Sequence, residues 1–176
     1  MKMKIMALVP AVLASAIVLI ASPAWAAGGR IGFGFNATGI RGFPTGAASL
    51  RGGGSYNPGT DFVKAGGGFR CTSTVTQGPL AGCLTGQGVR WDPVELLEST
   101  TFKCTGSAAE SLKTVSTDKN TVVLLADFYR AGDGNDESFT AQMIVSADDI
   151  APDIPGTQNV WIQGVGCARA IAHFSS

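Results

Sequence analysis

Four cysteines carry the most reactive side chains of this sequence, and they are Cys71, Cys83, Cys104 and Cys167. Cysteine side chains bind metals, carry redox chemistry or form disulfides. No two of these residues have the spacing of two to four positions that is typical of zinc sites, which argues against a zinc centre. Four cysteines allow three disulfide pairings, and cysteine counting alone does not separate them.

A short internal sequence repeat favours one disulfide pairing. The segment FRCT at 69–72 recurs as FKCT at 102–105. In a strand this spacing places Phe and Cys on one face and the basic residue on the other, so Cys71 and Cys104 are expected to face the core. Cys83 follows Cys71 closely, and a bond between them would close the intervening loop. The favoured pairs are Cys71 with Cys83 and Cys104 with Cys167, expected to stabilise the fold by about 3 and about 4 kcal/mol.

Catalytic chemistry has few candidates here. Asp127 lies inside an apolar strand, where a carboxyl group can serve as a general acid or base, and Asp133 and Glu137 lie in the loop that follows. His173 is the only histidine, and the sequence contains no GxSxG motif to supply a nucleophile beside it. We therefore expect no catalytic activity, and a hydrolase or isomerase that uses carboxylates remains the alternative.

Acidic and glycine-rich stretches could also hold ions or cofactors. Asp133, Asn135 and Glu137 have the i, i+2, i+4 spacing that begins a calcium loop, but Ser138 and Ile144 stand where that loop needs glycine and glutamate. We expect a polar hairpin loop without a metal, with this cation site as the weaker alternative. The glycine runs lack the Lys-Ser/Thr and GxGxxG contexts of phosphate-binding loops, so no cofactor is expected.

Aromatic residues could line a binding pocket. Tyr56, Trp91, Tyr129 and Trp161 lie in or beside predicted strands, where they could surround a small apolar ligand. The alternative is that they form ordinary core, since aromatic side chains dominate the packing of many β-domains.

Apolar residues repeat with a period of two along most of the chain, which is typical of β-strands. Eighteen of the 24 glycines lie between Gly28 and Gly88, where they alternate with large apolar residues. Such glycines suit a sheet that curls. We predict an all-β fold of about eight antiparallel strands, with a calycin-like up-and-down β-barrel favoured over a two-sheet β-sandwich.

One exception to the strands is expected. Asp92, Pro93 and Glu95 match an N-cap, a first helical position and a capping box, which predicts a short helix at 93–98. The predicted strands span 31–37, 48–56, 61–74, 100–105, 121–130 and 138–146, with one bent strand or two short ones within 158–174.

The first 26 residues have the pattern of a cleaved signal peptide. Lys2 and Lys4 precede an apolar run, and Ala24 and Ala26 form the small-x-small cleavage site. We expect a mature single β-domain at 27–176 that is secreted or periplasmic, without stable membrane insertion after cleavage. Disulfides fit such an oxidising compartment.

The predicted mature chain has 11 basic and 13 acidic residues, a net charge of about −2, and no run of basic residues. This composition argues against a nucleic-acid partner, because phosphate binding needs clustered positive charge.

Several segments, among them GGGSYNP, AGGGFRCT, GQGVRWD, FKCT, FYRAGDGNDESF and NVWIQGVGC, resemble a group of small exported bacterial proteins of unassigned function. The resemblance covers about 50–174 and implies a compact exported domain without assigning an activity. Three functions remain open: a non-catalytic domain that binds a small apolar ligand, a structural or protein-interaction module of the envelope or extracellular space, and the carboxylate enzyme.

Overall fold

The structure is a computed structural model, and it describes residues 29–130 and 138–176. The predicted signal peptide at 1–26 lies outside the described residues, as do Asp133, Asn135 and Glu137. Within the described part of the chain, no helix is long and apolar enough to cross a membrane.

Eleven antiparallel strands form the described structure, in agreement with the all-β prediction. Most of the predicted strands are present, whereas β4 and β6 were not predicted and the last predicted segment contains three strands. The strands are β1 (Ile31–Gly42), β2 (Ala47–Asn57), β3 (Phe62–Ser73), β4 (Arg90–Leu96), β5 (Ser99–Phe102), β6 (Lys113–Ser116), β7 (Thr121–Tyr129), β8 (Ser138–Ser146), β9 (Val160–Ile162), β10 (Gly166–Ala168) and β11 (Ile171–Ser175).

Eight of these strands are hydrogen-bonded in a closed ring. The order β1-β2-β3-β4-β7-β8-β9-β10 returns to β1 through the pairing of β10 with β1. β10 pairs with the C-terminal end of β1, and β11 pairs with the N-terminal half of β1. β5 and β6 form a separate hairpin. Neighbours in the ring are therefore consecutive in sequence, except for β1 with β10, which close the ring, and β4 with β7, between which β5 and β6 are inserted.

Two of the strand pairings in the ring are short, and we call them seams. The pairing of β3 with β4 and that of β1 with β10 each consist of two residue pairs, whereas β2 and β3 run together along their whole length. A Cβ atom at Gly166 in the second seam would lie 2.3 Å from the carbonyl oxygen of Arg41. Glycine therefore lets the two backbones approach closely where the sheet bends.

The interior of the ring is packed with aromatic side chains. Phe33, Phe35, Tyr56, Trp91 and Phe174 form a continuous set in which neighbouring ring centroids lie between 5.8 and 6.4 Å apart. Strand alternation directs these residues inward, where their large apolar areas form the main core.

The two triple-glycine runs make room for one of these side chains. A Cβ atom at Gly52 would lie 2.7 Å from Cζ2 of Trp91, and one at Gly67 would lie 2.7 Å from its Nε1. The indole N–H donates a hydrogen bond of 3.0 Å to the carbonyl oxygen of Arg51. The glycines of β2 and β3 thus let the Trp91 indole lie flat against the sheet.

A second apolar cluster lies outside the ring. The β5–β6 hairpin and the connection at 147–157 cover the outer face of β7 to β10, and residues of this cluster include Phe102, Ile144, Ile150 and Trp161. As a result β7 and β8 bury side chains on both faces, which explains their nearly continuous apolar sequences.

The predicted helix at 93–98 is wrong, because residues 93–96 belong to strand β4 and no helix forms in the described residues. Pro93 pairs with Ala126 and Glu95 pairs with Leu125, which leaves Val94 as a bulge. A capping signal contributes about 1 kcal/mol, and a helix of six residues is marginal without packing. The strand instead buries two apolar side chains and pairs along β7, and the bulge tolerates a proline that lacks an N–H.

Candidate functional site

Two of the four aromatic residues predicted to line a pocket lie inside the ring. Tyr56 and Trp91 are fully buried, and each satisfies its polar atom with a backbone carbonyl. The Tyr56 hydroxyl donates to the Asp118 carbonyl oxygen at 2.6 Å. Burial raises the pKa of Tyr56 far above its usual value, and the Asp118 charge adds to the effect. Both side chains are therefore committed to core packing.

The other two predicted residues lie on the outside. Tyr129 sits under the guanidinium of Arg90, 4.3 Å from its ring centroid. Trp161 packs on Phe102 in the outer cluster, and its indole N–H donates to the Lys103 carbonyl oxygen at 2.9 Å. The structure thus separates the four aromatic residues and does not gather them around one pocket.

The candidate catalytic residues are also dispersed. Asp127 lies half-buried on the outer face of β7, where its Oδ1 accepts a hydrogen bond of 2.6 Å from Thr140. His173 is exposed on β11, which is not a neighbour of β7 in the sheet. No group of three or more His, Cys, Asp or Glu side chains within the described residues could hold a metal ion.

The cysteines form disulfides between Cys71 and Cys83 and between Cys104 and Cys167, the pairing favoured from the sequence. The first bond joins β3 to the loop that follows it. The second joins the loop between β5 and β6 to β10, with a Cα–Cα distance of 5.0 Å. Because both bonds cross-link separate segments, we assign them a structural role.

An open concavity lies on the outer face of β1, β2 and β3. It has a volume of about 570 Å³. Its polar side chains point outward from three neighbouring strands, and they belong to Asn36, Thr38, Ser49, Arg51 and Arg70. Gly68, Gly88 and Val89 also line it, together with the core residues Leu50 and Phe69.

Sheet register fixes the arrangement of the two arginines. Arg51 stands opposite Asn36 on one side and Gly68 on the other, and Arg70 stands opposite Ser49. Arg51 and Arg70 are therefore diagonal neighbours, with Cβ atoms about 7–8 Å apart. A Cβ atom at Gly68 would lie 3.0 Å from Nε of Arg51, so the arginine side chain lies over the glycine.

A second concavity of about 530 Å³ adjoins the first at Thr38, which lines both. The register of β1 against β2 shifts between Ala37 and Ile40, and this bulge turns Thr38 and Gly39 toward solvent. The second concavity carries Arg41 and Arg169 on its wall. We call the two adjoining concavities, with Arg41, Arg51, Arg70 and Arg169, the arginine groove.

Electrostatics distinguish the arginine groove from the rest of the surface. All four arginines are exposed, and none forms an ion pair with any residue that the structure describes. The lining of both concavities contains no acidic residue. Arg90 provides a contrast, because it lies nearby yet is engaged by Asp92 at 3.2 Å.

Sequence reasoning missed the arginine groove because its charges are far apart in the chain. A signal is nevertheless present, since each of these arginines directly follows a buried apolar residue. The pairs are Ile40-Arg41, Leu50-Arg51, Phe69-Arg70 and Ala168-Arg169. This repeated pattern places every one of the four on the outer face.

Comparison with known proteins found no matching family model, no matching curated protein and no matching solved structure. We therefore infer function from the geometry of this chain.

Proposed function

We propose that this protein is an exported, non-catalytic binding domain that holds its ligand in the arginine groove, on the outer face of β1 to β3. The observation that carries the proposal is the contrast between a packed interior and an open outer face. The interior space is taken up by the aromatic core, whereas two adjoining concavities lie open outside it.

Export is supported by two features. The sequence begins with a charged and then apolar segment that ends in a small-x-small site, and the structure contains two disulfides. Disulfides are typical of oxidising compartments such as the periplasm and the extracellular space. A secreted or periplasmic binding domain is consistent with the small exported bacterial proteins that the sequence resembles.

We further propose that the eight-stranded ring is an up-and-down β-barrel. The meander order and the return pairing of β10 with β1 support this description. A barrel closed in this way leaves the ring without a free edge along these strands.

The position of the arginine groove favours an outer-face ligand over a small apolar ligand inside the ring. Tyr56 and Trp91 face inward but are engaged by Asp118 and Arg51 backbone oxygens. By contrast, the side chains of Asn36, Thr38, Ser49 and the four arginines of the groove form no hydrogen bond with any residue that the structure describes. They are available to a ligand without any rearrangement of the fold.

A matched pair of substitutions tests the location of the ligand. Ser49 lines the first concavity, whereas Ser55 lies on the same strand and the same face but outside it. Native mass spectrometry of protein recovered from the exporting cells should show a bound molecule in wild type and in Ser55→Trp, and its loss in Ser49→Trp. A molecule retained equally by both variants would place binding elsewhere and overturn the proposal.

A further inference from the structure

The chemistry of the arginine groove narrows the class of ligand. Arginine is always charged, and its planar fork of donors matches carboxylate and sulfate groups with two parallel hydrogen bonds. Arginines without an ion-pair partner among the described residues are notable on a protein with a predicted mature net charge near −2, because two other arginines nearby are engaged. Arg30 lies over Phe62 at 4.2 Å, and Arg90 lies over Tyr129 and pairs with Asp92.

The charge of the chain is also unevenly distributed. Residues 30–73 contain five basic residues and one acidic residue, whereas the other twelve acidic residues lie between 92 and 153. The fold places β1, β2 and β3 side by side, so the basic part of the sequence becomes one surface. Such a surface attracts negatively charged ligands over a distance of about 10 Å at moderate salt.

Uncharged hydrogen-bonding groups lie between the arginines. Asn36, Thr38 and Ser49 line the first concavity, and Thr157 lines the second. Amide and hydroxyl groups of this kind both donate and accept hydrogen bonds, as do the hydroxyl groups of sugars. The arginine groove therefore offers charged sites separated by neutral polar ones.

We propose that the arginine groove binds an acidic polysaccharide, with its carboxylate or sulfate groups on Arg41, Arg51, Arg70 and Arg169 and its hydroxyl groups on the neutral side chains between them. This inference rests on the proposed function and names its ligand class. Each concavity has the volume of a site for one small molecule. A ligand that spans both is therefore a chain of charged units.

Single-stranded nucleic acid fits this surface less well. Sites of that kind use exposed aromatic rings on which the bases stack. Phe69 is the one aromatic residue that lines the two described concavities, and its side chain is 3% exposed. A membrane surface also fits poorly, because the groove is concave, whereas membrane-binding surfaces insert apolar side chains into the lipid.

The test uses the mature protein and fluorescently labelled polymers in anisotropy titrations. Polygalacturonate presents carboxylates and dextran sulfate presents sulfates, so the two arms identify the acidic group. Uncharged dextran and a single-stranded oligothymidylate are the comparison polymers. We expect at least one acidic polysaccharide to bind, more tightly than either comparison polymer, and to weaken as salt rises from about 50 to about 200 mM.

Two double variants then locate the binding. R51Q/R70Q and R41Q/R169Q should each weaken binding by about tenfold or more, because each removes two charge-assisted contacts. The control K64Q/K119Q removes the same charge from exposed positions outside the groove and should change affinity less than about threefold. Thermal unfolding midpoints should agree among the variants, since all of these side chains are exposed.

Each other result overturns the inference. The inference is overturned if both groove variants bind with wild-type affinity, or if K64Q/K119Q loses as much affinity as they do. It is also overturned if the oligothymidylate binds more tightly than the acidic polymers, or if neither acidic polymer binds. Binding of uncharged dextran that Ser49→Trp abolishes would overturn the acidic ligand but leave the proposed function standing. If a polymer binds equally well to wild type, to Ser49→Trp and to the arginine variants, both the acidic ligand and the proposed function are overturned.

Discussion

The two outer faces of the ring differ in how they are used. On β7, β8 and β9 the outward side chains Val123, Ile144 and Trp161 are apolar, and the β5–β6 hairpin and the 147–157 connection cover them. On β1, β2 and β3 the outward residues at the arginine groove are polar or glycine, and Asn36, Thr38, Arg51 and Arg70 are exposed. The covered face therefore contributes to stability, whereas the open face is free to bind.

The β5–β6 hairpin and the 147–157 connection together form the cover over the outer face of β7 to β10. A single carboxylate, that of Glu110, holds the cover together. Glu110 accepts hydrogen bonds from the backbone N–H groups of Cys104 and Thr105, from the Thr105 hydroxyl and from Lys113. Lys113 also contacts Asp153 at 2.9 Å, which ties the hairpin to the 147–157 connection. The carboxylate thus holds the segment next to the Cys104–Cys167 disulfide.

The largest loss of stability should come from breaking the disulfide under the cover. Replacing Cys104 and Cys167 by Ala opens a bond that spans 63 residues and should cost about 4 kcal/mol, because the unfolded chain gains freedom. Replacing Cys71 and Cys83, which are 12 residues apart, should cost about 3 kcal/mol. Denaturant unfolding measures both. Equal amide exchange in β5 and β6 for the two variants would contradict the idea that Cys104–Cys167 holds the cover.

One matched pair of isoleucines compares the faces directly. Ile144 is fully buried on the covered face, and Ile171 is 69% exposed on β11, where it pairs with Asn36. Ile144→Ala should lower the free energy of unfolding by about 3 kcal/mol, because it removes buried apolar volume. Ile171→Ala should change it by less than about 0.5 kcal/mol. Similar losses for the two variants would show that the faces do not differ in this way.

Acid should loosen the covered face first. Burial by itself would raise the Glu110 pKa, but hydrogen bonds from Thr105, Lys113 and the two backbone amides outweigh it and lower the pKa from 4.5 to about 2. The stabilisation is therefore present above pH 4.5 and is lost as the pH falls toward 2. Stability should drop by about 2 kcal/mol at pH 3 through this group.

Glu110→Gln provides the control for this acid response. The amide keeps the shape of the side chain but does not titrate, so the part of the pH dependence between pH 5 and pH 2 that belongs to Glu110 should disappear. Urea unfolding at several pH values measures the difference. An unchanged slope in the variant would assign the acid sensitivity to other carboxylates.

The smallest effect should come from the arginine groove itself. R51Q/R70Q should leave the free energy of unfolding within about 0.5 kcal/mol of wild type, because neither arginine has an ion-pair partner in the described residues. Denaturant unfolding at low and high salt checks this. A large loss would mean that these arginines support the fold, and it would weaken the contrast between the two faces.

Local patterns predicted much of the fold. Alternation predicted β1, β2, β3 and β8, and a run of β-branched and aromatic residues predicted β7, because these residue patterns are local to each strand. Local patterns failed at 93–98, where a capping motif was present but strand pairing with β7 contributed more. They also missed β6, whose four residues alternate between exposed and half-buried positions.

The candidate site was harder to predict for a physical reason. The four aromatic residues Tyr56, Trp91, Tyr129 and Trp161 have the side chains expected of a pocket, yet three-dimensional packing divides them between an inner core, an outer cluster and the surface. The arginines of the groove have ordinary local sequences. Their proximity depends on which strands are neighbours, and that information is absent from any one segment.

The amino-acid sequence by itself determined the β-rich character of the chain, because alternation is a local property that residue types record directly. It also favoured the disulfide pairing, since the FRCT and FKCT segments place their cysteines on the core side. Only the tertiary structure decided which outer face is covered and which is open. Strand order brings Arg41, Arg51, Arg70 and Arg169 together from distant parts of the chain, and long-range pairing of this kind is set by the closure of the ring.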